Sequence, residues 1–262
     1  MECLDTIKHL KINLKKNVGP VVIVVEGAEY EFELLYTIFY KILKYKLITK
    51  SRNKQKFKEY TEFVHKNNEN SKFIIINTKN SNIGTIASDD EYRSAVYRLA
   101  YEKYNLDLKN YPIYYIWDRD CKSNPKKKME DLIKKLKNPY ENENYESGLL
   151  LISYPCIESF TISCFEKNKN FIDKNIKTYI KDNQYRVTDL NRYSLLKATL
   201  EMINHIKKIG YDDFEIDNIG NTNLEIFKKE EEIYLNKKKY HLISFLSYIL
   251  LDLGIITIRT NE

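Results

Sequence analysis

Cysteine, histidine and long apolar runs are scarce in this chain, and each shortage removes a class of protein from consideration. Among 262 residues there are four cysteines, Cys3, Cys121, Cys156 and Cys164, without CxxC spacing, and four histidines that do not cluster. Neither a disulfide framework nor a structural zinc site is expected from such a set, and the natural reading is a reduced, cytoplasmic protein. Residues 1–17 hold Leu4, Ile7, Leu10 and Leu14 among charges and lack an apolar core, so no signal peptide is expected. That spacing predicts a short amphipathic helix over residues 1–18. The most apolar stretch, residues 242–258, is broken by Ser244, Ser247, Asp252 and Gly254. It falls short of the ~20 apolar residues of a membrane span and predicts a buried helix followed by a strand. A GxxxxGK[ST] segment is also missing, so any nucleotide-driven control has to come from another protein.

What is present begins with charge. The formal net charge is +6, and lysines gather at residues 50–58, 126–128 and 237–239. Such runs suit a polyanionic partner, DNA or RNA, and they are equally the ordinary way to keep a surface solvated. Arg52, Lys54, Lys126, Lys127 and Lys128 are the candidates for nucleic-acid contact. The abundance of Lys, Asn, Ile and Tyr also matches the codon bias of an AT-rich genome, so composition does not choose between these readings. Of the aromatics, Tyr114, Tyr115 and Trp117 fall in an apolar strand pattern, where core packing outweighs base stacking.

The hydrophobic pattern alternates strand and helix. Val21-Val22-Ile23-Val24-Val25 is wholly apolar and β-branched, the mark of a central strand covered on both faces. After Glu26-Gly27, Phe32, Leu35, Phe39 and Leu43 recur at helical spacing, with Glu29, Glu31 and Glu33 in the first turns, where the helix dipole favours acid. Phe73-Ile74-Ile75-Ile76 predicts a second strand, followed by a helix to about Tyr104 with Ala95, Val96, Leu99 and Ala100 as its apolar face. Ile113 to Trp117 is a third, ending in Asp118-Arg119-Asp120, after which Asn124-Pro125 opens a basic helix. Leu149-Leu150-Leu151-Ile152 is a fourth, followed beyond Pro155 by a helix through Ile157, Phe160, Ile162 and Phe165. The alternation predicts an α/β fold with a mostly parallel sheet over residues 19–166. Residues 167–262 predict a mostly helical extension, with helices over 195–209, 224–235 and 241–253 and a last strand at 255–258.

Open parallel sheets carry their functional crevice beyond the carboxyl ends of the strands. Three of the four expected strands lead into acid there: Glu26 after the first, Asp118 and Asp120 after the third, and Glu158 just past the fourth. Alternation turns Asp118 and Asp120 to one side, where both carboxylates can face one ion. Such a cluster repels itself unless a cation compensates it, and Mg²⁺ suits a few carboxylates plus water and phosphate oxygens. Glu158 and Glu31, taken singly, read equally well as helix-terminal acids.

At these residues the chain resembles the Toprim domain, the catalytic core of topoisomerases, bacterial primases, some ribonucleases and OLD-family nucleases. The likeness lies in Val24-Val25-Glu26-Gly27 and Ile116-Trp117-Asp118-Arg119-Asp120. A closer similarity is to the RloB-like branch, through Glu31, Trp117-Asp118-Arg119-Asp120 and Ser153-Tyr154-Pro155-Cys156-Ile157-Glu158-Ser159-Phe160. The last segment is similar to that branch's Asn-Pro-Cys-Phe-Glu, with Tyr154 in place of the Asn and Ile157 in place of the Phe.

The resemblance implies a Toprim-like Rossmannoid core with Glu26 as acid/base or metal ligand and Asp118 and Asp120 as ligands of Mg²⁺ or Mn²⁺. Glu31 and Glu158 are the further metal-ligand candidates. It also implies a metal-dependent nuclease acting on DNA or RNA, an effector of bacterial anti-phage defence. A regulatory or nucleic-acid-binding subunit working with a partner ATPase is the competing reading, and a primase-like nucleotidyl transferase is a third. A homodimer is compatible with the sequence.

Overall fold

The computed structural model describes residues 9–27, 29–48, 60–78, 89–119, 125–140, 148–167, 169, 171–172, 175–211 and 218–258. The chain divides into two compact units. A sheet unit comprises Asn17–Trp117 and Asp131–Leu151, and a helical unit comprises Met1–Lys16, Asp118–Glu130 and Ile152–Glu262. The first element, β1 (Leu10–Ile12), belongs to the helical unit and is a strand where the leucine spacing predicts helix. It pairs antiparallel with β11 (Ile256–Ile258), Leu10 opposite Ile258. A pairing partner nearly the whole chain away overrides a weak local helical pattern.

In the sheet unit, β2 (Pro20–Val25) is fully buried from Val21 to Val25. Five β-branched residues in succession give the stiff, extended segment that burial on both faces requires. Helix α1 (Tyr30–Tyr36) follows and runs on through π-helical turns at Thr37–Ile42. Its buried face includes Leu34, Leu35, Ile38 and Phe39. Phe39 stacks on Phe73 with ring centroids 4.1 Å apart. The chain then forms β3 (Lys46–Ile48), β4 (Tyr60–His65) and β5 (Asn68–Asn77). Helix α2 (Asp89–Arg98) ends in a second π-helical stretch, Leu99–Lys103. Strand β6 (Ile113–Asp118), helix α3 (Lys126–Lys135), β7 (Lys137–Asn138) and β8 (Gly148–Ser153) follow.

The seven strands lie in the order β3-β4-β5-β2-β6-β8-β7. β2 is parallel to both β5 and β6, with Val25 opposite Asn77 on one side and Ile116 on the other. β8 runs the same way as β6. Gly148 lies against the Ile113 carbonyl at one end, and Arg119 N–H donates to the Ser153 carbonyl at the other, 2.9 Å. Gly148 has φ +128°, and a Cβ there would strike the Tyr115 ring. The expected parallel core is therefore β5-β2-β6-β8, whereas β3-β4, β4-β5 and β7-β8 are antiparallel. The sheet is mixed, with antiparallel hairpins at its margins.

The helical unit contains α4 (Glu158–Phe165), β9 (Phe171–Ile172), α5 (Ile176–Asp182), α6 (Arg192–Lys208), α7 (Ile219–Lys237), β10 (Tyr240–His241) and α8 (Leu246–Asp252). Asn191 caps α6 by accepting from Tyr193 N–H and Ser194 N–H, while Ser194 Oγ accepts from Asn191 N–H. This reciprocal box fixes where the helix starts. α8 is buried all round from Leu246 to Leu251, as an apolar helix inside a protein must be. It starts later than the pattern predicts, because His241 is taken into the β10-β9 pair. Among the described residues no helix is long and apolar enough to cross a membrane.

On α6, His205 is wholly buried, its ring close to the backbones of Leu242 and Lys169. Burial first, then the charges of Lys208 and His241, push its pKa down to about 4. The ring is thus neutral when folded and takes up a proton on unfolding below about pH 6.5. Its contribution to stability is complete above that pH and is lost as pH falls toward 4, a change of about 3 kcal/mol. Urea titrations across this range are expected to give a shallower decline for His205→Leu than for the parent. Equal slopes would show that His205 does not drive the acid sensitivity.

Candidate functional site

In the sheet unit the site begins where β2 ends. The Val25 carbonyl accepts from both Thr78 N–H, 3.0 Å, and Thr78 Oγ1, 3.2 Å, so the ends of β2 and β5 are tied together. Glu26, half-buried, is the first residue beyond that tie. Gly27 comes next, and a Cβ built on it would fall on the Glu31 carboxyl group. Glu31, in the first turn of α1, thus folds back over Gly27 beside Glu26. The role of the glycine here is to leave that space. Buried Asn77 and Thr78 at the end of β5 share this edge and escape the search for acids, though polar residues ending an apolar strand are a signal of the same kind.

In the helical unit the site is built around Asp118, the last residue of β6. Asp118 Oδ1 accepts from Ile157 N–H at 2.8 Å, which holds the loop after β8 against the strand end. The next residue, Glu158, opens α4 with its side chain only 4% exposed, and Lys177 Nζ lies 3.4 Å from its Oε1. Glu158 above all, with Cys156 and Asp118 behind it, raises the Lys177 pKa against the opposing effect of burial. Burial first, then Glu158 and Asp118, push the Cys156 thiol up. Asp118, Cys156, Glu158 and Lys177 therefore feel one another's charge. Lys177 is absent from the sequence-based candidates because it lies on a different helix, 19 residues beyond Glu158.

Arg119 serves another purpose. Its guanidinium is buried and grips Glu231 of α7 through Nε to Oε1, 2.7 Å, and Nη2 to Oε2, 2.8 Å. Tyr240 Oη also donates to Glu231 Oε1, and Phe227 stacks its ring under the guanidinium, 5.3 Å away. A planar fork on a carboxylate with an aromatic floor is an arrangement that lysine cannot reproduce.

Lys126, Lys127 and Lys128 form the first turn of α3, Lys126 Nζ standing 3.9 Å from Glu130 Oε1. Asp120, Arg52 and Lys54 lie outside the described residues. Among the described residues no group of three or more His, Cys, Asp and Glu is arranged to hold a metal ion. The oxygen donors of the two units, Glu26 and Glu31 in one and Asp118 and Glu158 in the other, are of the chemical kind that Mg²⁺ takes.

Removing one partner of the Arg119–Glu231 pair leaves a buried charge without compensation. Arg119→Ala is expected to cost about 3–5 kcal/mol in urea unfolding. The double change Arg119→Met with Glu231→Leu is expected to recover most of that loss. A single-mutant cost below about 1 kcal/mol would mean that water reaches the pair.

No protein-family model matches the chain, and neither a curated protein nor a solved structure matches it.

Proposed function

We propose that the protein is a metal-dependent nuclease of Toprim type, with Glu26, Asp118 and Asp120 as the acids that hold Mg²⁺ or Mn²⁺ and Glu31 and Glu158 as further ligands. One observation carries this reading. Glu26 follows β2, Asp118 closes β6, and these strands are parallel neighbours. In an α/β sheet, acids leaving adjacent parallel strands stand where substrates bind. The all-carboxylate donor set fits a hard divalent cation, and the resemblance around Glu26-Gly27 and Asp118-Arg119-Asp120 supports the same chemistry.

When bound, the metal would supply a water of lowered pKa and neutralise charge on the phosphate. The chain's own residues supply the rest. Gly27 leaves room for the Glu31 carboxyl beside Glu26. Asp118 is oriented by Ile157 N–H. Lys126, Lys127 and Lys128 provide positive charge against the repulsion that the acids exert on a polyanion. The substrate is DNA or RNA, and the role is that of a defence effector.

The test is incubation with single-stranded DNA, duplex DNA and total RNA, with and without Mg²⁺. Metal-dependent cleavage lost in Asp118→Ala and in Asp120→Ala is the expected result. Nucleic-acid binding without cleavage under every condition would favour a regulatory module working with a partner ATPase. Neutralising Lys126, Lys127 and Lys128 together is expected to weaken binding and flatten its dependence on salt, since fewer counterions are released. Unchanged affinity and slope would reduce the run to a solvated helix face.

A further inference from the structure

We infer that the aromatic stripe of α1 and its π-helical turns, Phe32, Tyr36 and Tyr40, is a stacking track for single-stranded nucleic acid, anchored at its far end by Lys41 and Lys44. The inference deepens the nuclease reading above by naming the strand state of its substrate, and it involves no metal. Spaced four residues apart, the three side chains fall on one side of the helix. Phe32 and Tyr36 have ring centroids 5.7 Å apart, and Tyr36 stacks on Tyr40 at 4.8 Å with 21° between the planes. Phe63 of β4 backs Tyr36 at 6.5 Å, which steadies the ladder from the sheet side. Phe32 and Tyr36 are half-buried and Tyr40 is 43% exposed. Phe39 is buried against Phe73, so the stripe is distinct from the face that the helix gives to the core.

Charge selects the occupant. Lys41 and Lys44 follow Tyr40, both exposed, and among the described residues neither pairs with an acid. Tyr36 covers one face of the Tyr40 ring, and among the described residues no other ring or cation stacks on it. Flat rings beside unpaired cations match a chain of flat bases joined by phosphates. A duplex keeps its bases paired inside and offers the rings nothing to stack on. At the other end of the stripe, Phe32 directly follows Glu31, whose carboxyl lies over Gly27 beside Glu26. The helix rises about 12 Å between Phe32 and Tyr40, so a strand on the stripe runs from the lysines toward the acidic edge. Exposed Glu29 and Glu33 repel phosphates at that end, which leaves the anchoring to Lys41 and Lys44.

The experiment measures fluorescence anisotropy of labelled oligodeoxythymidylate, oligouridylate and a duplex of the same length, titrated with the full chain in EDTA. Tyr40→Ala is expected to weaken single-strand binding roughly tenfold, the scale of one lost base stack, and to leave duplex binding unchanged. Tyr40→Phe keeps the ring and is expected to match the parent. Lys41→Gln with Lys44→Asn is expected to weaken binding and flatten its salt dependence; asparagine suits the φ of +66° at position 44. Single-strand affinity unchanged in Tyr40→Ala, or lost equally for duplex, overturns this inference alone. A parent dimer that Tyr40→Ala dissolves, with oligonucleotide affinity unchanged, assigns the stripe to a second copy of the chain and likewise overturns it. Ring-dependent single-strand binding without cleavage in Mg²⁺ or Mn²⁺ supports this inference while removing the nuclease reading, and a parent that binds no nucleic acid removes both.

Discussion

Val21 to Val25 can be accommodated only in a strand covered on both faces, and that constraint arranges the sheet around it. Five consecutive apolar side chains leave β2 no solvent face, so its neighbours must be connected by crossovers that bring helices over the sheet. β5 and β6 flank it in parallel as a result. Parallel neighbours end at the same edge, and the chain's change from apolar to acidic residues falls there. The position of Glu26 is thus a consequence of where the buried run stops. A polar residue one step earlier would have had to be buried in the sheet.

Asp118 and Arg119 divide two tasks between adjacent positions. Alternation along an extended chain sends successive side chains to opposite sides. Asp118 stays half-buried at the strand end and takes Ile157 N–H, while Arg119 is buried against Glu231 of α7. The buried pair is a weak source of net stability, because desolvation offsets most of the attraction. What it supplies is geometry. A bidentate fork has one favourable orientation, so α7 and the chain immediately beyond β6 are held in one arrangement.

The four core strands were legible because each is a continuous apolar run, and that signal is local. The marginal strands were not, since β3 and β7 are short and β4 alternates in a half-exposed pattern that resembles loop. β1 was misread because Leu4, Ile7, Leu10 and Leu14 have helical spacing, whereas the partner that decides the matter, β11, lies near the other end of the chain. At the candidate site the same division holds. Acids following apolar strands could be nominated from the sequence, as could glycine at position 27. Their partners could not, because Lys177 and Glu231 sit on helices whose own patterns say nothing of what they face. Glu231 lies 112 residues from Arg119.

The placement of charge on α3 runs against stability and is therefore informative. α1 follows the dipole rule, with Glu31 and Glu33 in its first turn. α3 opens instead with Lys126, Lys127 and Lys128 and also carries Lys134 and Lys135 in its last turn. Lysines at a helix N-terminus cost about 0.3–1 kcal/mol each at low salt. The Lys126–Glu130 pair offsets little of this, because lysine preceding glutamate by four residues is the weaker orientation. Solvation alone would be served as well by lysines farther along the helix. Gathering them in the first turn concentrates positive potential in the segment that follows Asp118.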